Sequence, residues 1–191
     1  MTLKEYLYNE IHSVLASWDE KDIYAISFFV YFNECNCYNG IKNFPEFSVG
    51  YNTETDCGNA HKHSKVRWNF AFWCQNNIDI ITPYVDTTAK LLLEWYNSIG
   101  LSNIGEEERN EDMYDENMRY IGKGPKGYYE FLMLISEIAR QIQTEGTIKE
   151  KFGSIPIIIH DLEYPWYIEK ATENANPFGE AEDFLHFVRN M

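Results

Sequence analysis

The spacing of apolar positions changes period as the chain begins. Leu3, Tyr6, Leu7, Ile11, Val14, Leu15 and Trp18 recur at steps of three and four, which is one face of a helix. Thr2 followed by Glu5 supplies a capping box, so a helix is expected from about Leu3 to Trp18. The polar turn Asp19 to Asp22 leads into Ile23 to Phe32, a run interrupted only by Ser27. Its aromatic and β-branched content favours a strand covered on both faces over a buried helix. Asn33, Asn36, Asn39 and Gly40 break it. Phe47, Val49 and Tyr51 then alternate with Glu46, Ser48, Gly50 and Asn52, as in a strand with one wet face, and the two strands read as a hairpin.

After the polar loop Thr53 to Ser64, Val66 to Trp73 is expected to be a strand or extended segment. Ala89, Leu92, Leu93, Tyr96 and Ile99 form a helical stripe over Thr87 to Ile99, ended by Gly100. Gly122, Gly124, Pro125 and Gly127 interrupt the chain before a second stripe, Tyr128 to Ile142, that stops near Gly146. Ile155 to Ile159 reads as a short buried strand, with Pro156 near its start where a missing donor does least harm. Two short helices follow, about Pro165 to Ala175, with Pro165 at the first helical position, and about Gly179 to Asn190. The order predicts an α+β fold, a small mostly antiparallel sheet packed by several amphipathic helices, in a single globular domain spanning 1–191.

Thirty acids against sixteen Lys and Arg give a formal charge of −14. That field repels phosphate backbones and anionic lipid, so neither direct nucleic-acid binding nor a membrane partner is expected. The N-terminal stretch lacks the pattern of a secretory signal, and no apolar run approaches the roughly 20 residues that span a bilayer. A cytoplasmic protein is expected. Its four cysteines, Cys35, Cys37, Cys57 and Cys74, should then be reduced thiols.

Three constellations invite a chemical reading. Cys35, Cys37, Cys57 and Cys74 with His61 and His63 have the residue types zinc prefers, but the spacing lacks matched knuckles, so no metal is expected. His160, Asp161 and Glu163 follow a buried strand, where a general base and its orienting carboxylate can sit, and support an alternative reading as a hydrolase. The plainer expectation is that these polar groups cap the helix near Pro165. Gly122-Lys123-Gly124-Pro125-Lys126-Gly127 has the composition of a phosphate loop without its terminal Gly-Lys-Ser/Thr, and reads as a connection. Arg67, in a basic loop, is expected to pair with one of the many acids. No catalytic residue and no cofactor is expected.

Folding does not explain seven acids between Glu106 and Glu116, since like charges at helical spacing destabilise a helix. Glu106, Glu107, Glu108, Glu111, Asp112, Asp115 and Glu116 are expected to face a basic partner, with Met113 and Tyr114 as apolar anchors.

Tyr24-Ala25, Arg67-Trp68 with Trp73, the stretch Pro156 to Glu163, Thr172 with Ala175-Asn176-Pro177, and Phe184-Leu185 resemble a bacterial family of unknown function. Some of its members look like immunity proteins of polymorphic or contact-dependent inhibition toxins. The resemblance covers nearly the whole chain, leaves out the acidic segment and implies no catalytic residues. Together with the charge it leads to one expectation: an immunity protein that binds a cognate toxin domain, a basic nuclease, and occludes its groove. A regulatory interaction module with another partner is the remaining non-enzymatic alternative.

Overall fold

The structure, a computed structural model, describes residues 1–32, 37–107 and 111–190. In chain order it runs α1 (Leu3–Ser17), β1 (Ile23–Phe32), the small ribbon β2 (Cys37–Tyr38) and β3 (Ile41–Lys42), β4 (Pro45–Thr53), α2 (Lys65–Trp68), β5 (Ile78–Ile81) and α3 (Asp86–Ser98). Then come α4 (Tyr128–Glu145), α5 (Thr147–Phe152), β6 (Ile157–His160), α6 (Trp166–Ala175) and α7 (Glu182–Arg189). The main sheet has the order β5-β4-β1-β6. β1 is antiparallel to β4 and parallel to β6, and β4 is antiparallel to β5, so the α+β expectation holds with one parallel pairing.

β1 is buried because it has helices on both sides. Ile26, Phe28 and Val30, with Ile157 and Ile159 of β6, belong to the larger core that α1, α3 and α4 complete. Ala25 and Ile158 face the other way, against Trp68, Trp73, Phe184, Leu185 and Phe187 from α2, the following turn and α7. Alternate residues of one strand thus serve two cores, as the pleat requires. The expected capping box holds α1: Thr2 Oγ1 accepts from Glu5 N at 3.2 Å and Glu5 Oε2 from Thr2 N at 2.7 Å.

The outer edge of β6 is closed by side chains. Asn176 Oδ1 accepts from Ile157 N at 2.8 Å while its Nδ2 donates to Ile157 O at 2.7 Å. One turn earlier, Thr172 Oγ1 accepts from Ile159 N at 3.1 Å and donates to Ile159 O at 2.9 Å. The match is geometric: four helical residues rise about 6 Å and two strand residues about 6.6 Å, so side chains at i and i+4 meet alternate peptides. Gln143 Nε2 of α4 supports Asn176 Oδ1 at 3.0 Å. On the opposite side the amide of Asn76 pairs with Tyr51 N and O, both at 3.1 Å, extending the ladder on β4 beyond β5. Gly50 makes room for this, since a Cβ there would lie 2.6 Å from Asn77 Oδ1 and 2.8 Å from Asn76 Oδ1.

Four sequence expectations need correction. Val66 to Trp73 is helical, α2 followed by a 3-10 turn at Phe70–Phe72, because Ser64 Oγ and Asn69 Oδ1 cap the two turns by accepting from Val66 N and Ala71 N. β5 and α5 were not foreseen. β6 begins after Pro156, whose carbonyl accepts from Ile26 N at 3.0 Å, and Pro165 stands at the N-cap rather than inside α6. The last helix is shorter than expected, Glu182–Arg189.

Replacing Asn176 with Ala orphans buried donors and acceptors on β6 and α6 together. Urea unfolding is expected to show a loss of about 3–5 kcal/mol. A loss below about 1 kcal/mol would show that water replaces the amide without penalty.

Candidate partner-binding surface

The buried polar groups at the end of β6 come first because they carry the enzymatic alternative. His160 is 2% exposed and Ser27 is fully buried. Ser27 Oγ and His160 Nε2 lie 2.7 Å apart, and His160 Nδ1 is 3.4 Å from the Asp161 carbonyl. The carbonyl can only accept, so Nδ1 carries the proton and Nε2 receives the Ser27 hydroxyl. Phe29, Phe70 and Trp73 surround the ring, with centroids 5.4, 4.6 and 6.1 Å away. This has the connectivity of a nucleophile and its base, but neither group presents surface to a substrate. Burial pushes the imidazole down to about 4, which keeps it neutral.

Asp161 is 9% exposed, and its carboxyl does not contact the ring. Its Oδ1 accepts from Glu163 N at 2.7 Å, which turns the chain away from β6, and its Oδ2 receives the Tyr128 hydroxyl at 2.5 Å. Burial lifts its carboxyl to about 6, against these hydrogen bonds. Glu163 is exposed. The expected cap on α6 is absent: that helix has no side-chain cap bond, and Asp161 closes the preceding turn instead.

Among the described residues the cysteines do not converge with the histidines. Cys37 and Cys74 are exposed, Cys57 is buried, and Cys35 lies outside the described residues. The His61 and His63 rings lie tilted with centroids 5.3 Å apart, and His63 meets His186 at 4.9 Å, on α7 rather than beside the thiols. Among the described residues no group of three or more His, Cys, Asp or Glu could hold a metal ion. Arg67 pairs as expected, bidentately with Glu54 at 2.6 Å on both nitrogens, and stacks 3.8 Å from the Tyr24 ring centroid. Trp73 Nε1 donates to the Arg67 carbonyl at 2.8 Å, and Tyr24 Oη donates to it as well. The residues behind the family resemblance therefore build scaffold: the Tyr24–Arg67–Trp73 cluster and the Thr172 and Asn176 closure of β6.

The acidic segment ends in a hairpin. Tyr114 and Tyr120 form a bridge and meet edge to face at 5.7 Å, and Ile121 N donates to Met113 O at 2.8 Å. Asp115 Oδ1 accepts from Asn117 N and Arg119 N, both at 2.8 Å, so this acid is committed to the turn. Glu106, Asp112 and Glu116 are exposed, as is Glu107, while Met113 and Asp115 are half-buried. Glu108 and the side chain of Glu111 lie outside the described residues. Three apolar side chains stand out around the turn: Tyr114, Met118 and Ile121, at 48%, 77% and 51% exposure. Met118, at the tip, has φ +60°, a left-handed conformation that a side chain makes costly.

The Gly-Lys loop packs beside this hairpin. Gly124 N donates to Tyr120 Oη and Lys126 N to Glu106 O, both at 2.9 Å, and Trp166 Nε1 holds Gly122 O at 2.9 Å. Lys123 Nζ lies 4.7 Å over the Tyr129 ring. A cleft of about 350 Å³ between loop and hairpin is lined by Asp112, Met113, Lys123, Lys126 and Glu130 among others. The surface is thus an apolar hairpin tip with acids on its flank and two lysines behind, rather than a uniform acidic strip.

Comparison with protein families, curated proteins and solved structures finds no match for this chain. Sequence reasoning missed Met118 and Ile121, whose signal was the placement of Asp115-Glu116-Asn117 between Tyr114 and Tyr120, a turn between two aromatics.

His160 and Asp161 respond to acid with opposite signs. Unfolding raises the histidine toward 6.5, so the unfolded chain takes a proton the fold refuses, and stability falls as pH drops from 6.5 to about 4. Asp161 keeps its proton to about pH 6 when folded but only to 3.8 when unfolded, so its effect on stability rises over nearly the same window. Asp161→Asn removes the second slope alone. The stability of the variant relative to the native protein should fall by about 2 kcal/mol between pH 7 and pH 4 in urea titrations; a constant difference would mean that Asp161 is charged throughout.

Proposed function

We propose that the protein acts by binding a basic partner stoichiometrically, as an immunity protein that neutralises a cognate toxin domain, a nuclease, by covering its groove. Such a role places it in the cytoplasm. The observation that carries the reading is Met118. A glycine would adopt its left-handed backbone at no steric cost, and its side chain is 77% exposed, so packing gives no reason to keep it. An exposed side chain held at a strained position favours a contact made outside the chain. Tyr114 and Ile121 beside it supply the desolvated centre that a tight interface needs, and Glu106, Asp112 and Glu116 supply the charge that speeds encounter with a basic surface. The net charge of −14 and the resemblance to immunity proteins point to the same class of partner. Burial of His160 and the use of the Asp161 carboxyl in a turn weigh against the hydrolase alternative built on His160, Asp161 and Glu163.

The first test is co-expression with the product of the adjacent gene, in which the two chains should co-purify and growth inhibition by that product should disappear. Met118→Gly is then expected to leave stability unchanged or raise it by up to about 1 kcal/mol while weakening the complex. Reversing Glu106, Asp112 and Glu116 to Lys should slow association about tenfold or more and flatten its salt dependence. Unaltered binding in both variants removes the hairpin from the interface.

A further inference from the structure

The two edges of the main sheet are finished in different ways. β6 has its outward peptides met by Thr172 and Asn176. β5 does not: among the described residues no hydrogen bond reaches Ile78–Ile81 from outside β4. Its accessible part is the first half: Ile78 is 41% exposed and Asp79 is exposed, while Ile80 and Ile81 are buried. The edge is short and its pairing with β4 is bulged, but it carries no lysine. The strand's one charge is Asp79, and Asp86 beyond it pairs with Lys90.

We propose that β5 is a docking edge for an extended, basic segment of another protein, which adds to the sheet as a fifth strand. Backbone pairing supplies attraction, and side chains on alternate positions meet Ile78 and Asp79. The charge decides between occupants. A second copy would set Asp79 near Asp79 in a protein already carrying −14, and an edge of four residues gives little pairing to offset that repulsion. A lysine-bearing strand meets the same edge with attraction. This goes beyond the hairpin surface and rests on the proposed function only for the sign of the partner's charge.

The test is a titration of the full chain, followed by backbone amide NMR at 0.15 M salt, with the acetylated, amidated peptide Lys-Val-Lys-Val-Lys-Val. Two comparison peptides carry Glu in place of Lys, or Pro in place of the central Val. Shifts centred on Ile78 to Ile81 are expected, with the Glu and Pro peptides each binding about tenfold more weakly. Asp79→Lys should weaken the Lys peptide about tenfold, and Asp79→Asn, the milder variant should the first fail to fold, about threefold. The hairpin variant with Lys at 106, 112 and 116 should bind it through β5 as before, which separates this proposal from the preceding one. Shifts confined to other surfaces, equal binding of the Pro peptide, or absence of binding would each overturn the proposal. So would sedimentation showing a dimer whose β5 shifts depend on protein concentration, which assigns the edge to a second copy.

Discussion

An open sheet has two edges, and each outward N–H and C=O on them must be met by water, by a side chain or by another chain. That constraint orders much of this fold. β1 and β4 are interior strands and settle their peptides between themselves and their neighbours. β6 carries its edge into the protein, where water is absent, so the edge needs internal partners. Thr172 and Asn176 provide them from one face of α6, and Gln143 ties α4 to the same point. The helix is therefore held to the strand by directional bonds as well as by Ile168, Ala171 and Ala175 in the core. β5 leaves its Ile78–Asp79 end at the surface, and among the described residues no hydrogen bond reaches the strand from outside β4.

Much of this was legible in the sequence where one period dominates. The run Ile23 to Phe32 and the stripe Tyr128 to Ile142 each bury a face too large to place elsewhere, and both elements lie where the pattern puts them. Val66 to Trp73 misled because its aromatics have strand propensity, while Ser64 and Asn69 decide locally by capping two short turns. β5 was illegible because four residues give no period, and its strand character comes from pairing with β4. Thr172 and Asn176 belong to the residues that carry the family resemblance, but their task depends on which strand lies beside α6, and that is a property of the fold.

The candidate site was legible in part. Charge singled out the segment, and Tyr114 within it is 48% exposed. Composition could not separate Asp115, whose carboxylate is spent on the turn, from Glu106, Asp112 and Glu116, which stand in water. Nor could it show that Lys123 and Lys126 return to the same cleft and dilute the negative field there. A similar sorting applies to His160 and Asp161. Adjacent in sequence, they look like a base and its partner; in the fold they face different neighbours, Ser27 and Tyr128, and the backbone between them sends them apart.

The unequal finish of the two edges is the claim on which the rest turns, and amide hydrogen exchange in the free protein tests it most directly. Ile157 and Ile159, whose N–H groups face α6, should exchange only through large-scale opening, while those β5 amides that face away from β4 should exchange orders of magnitude faster. Comparable protection at both edges would contradict the account, because it would mean that β5 already has a partner within the chain.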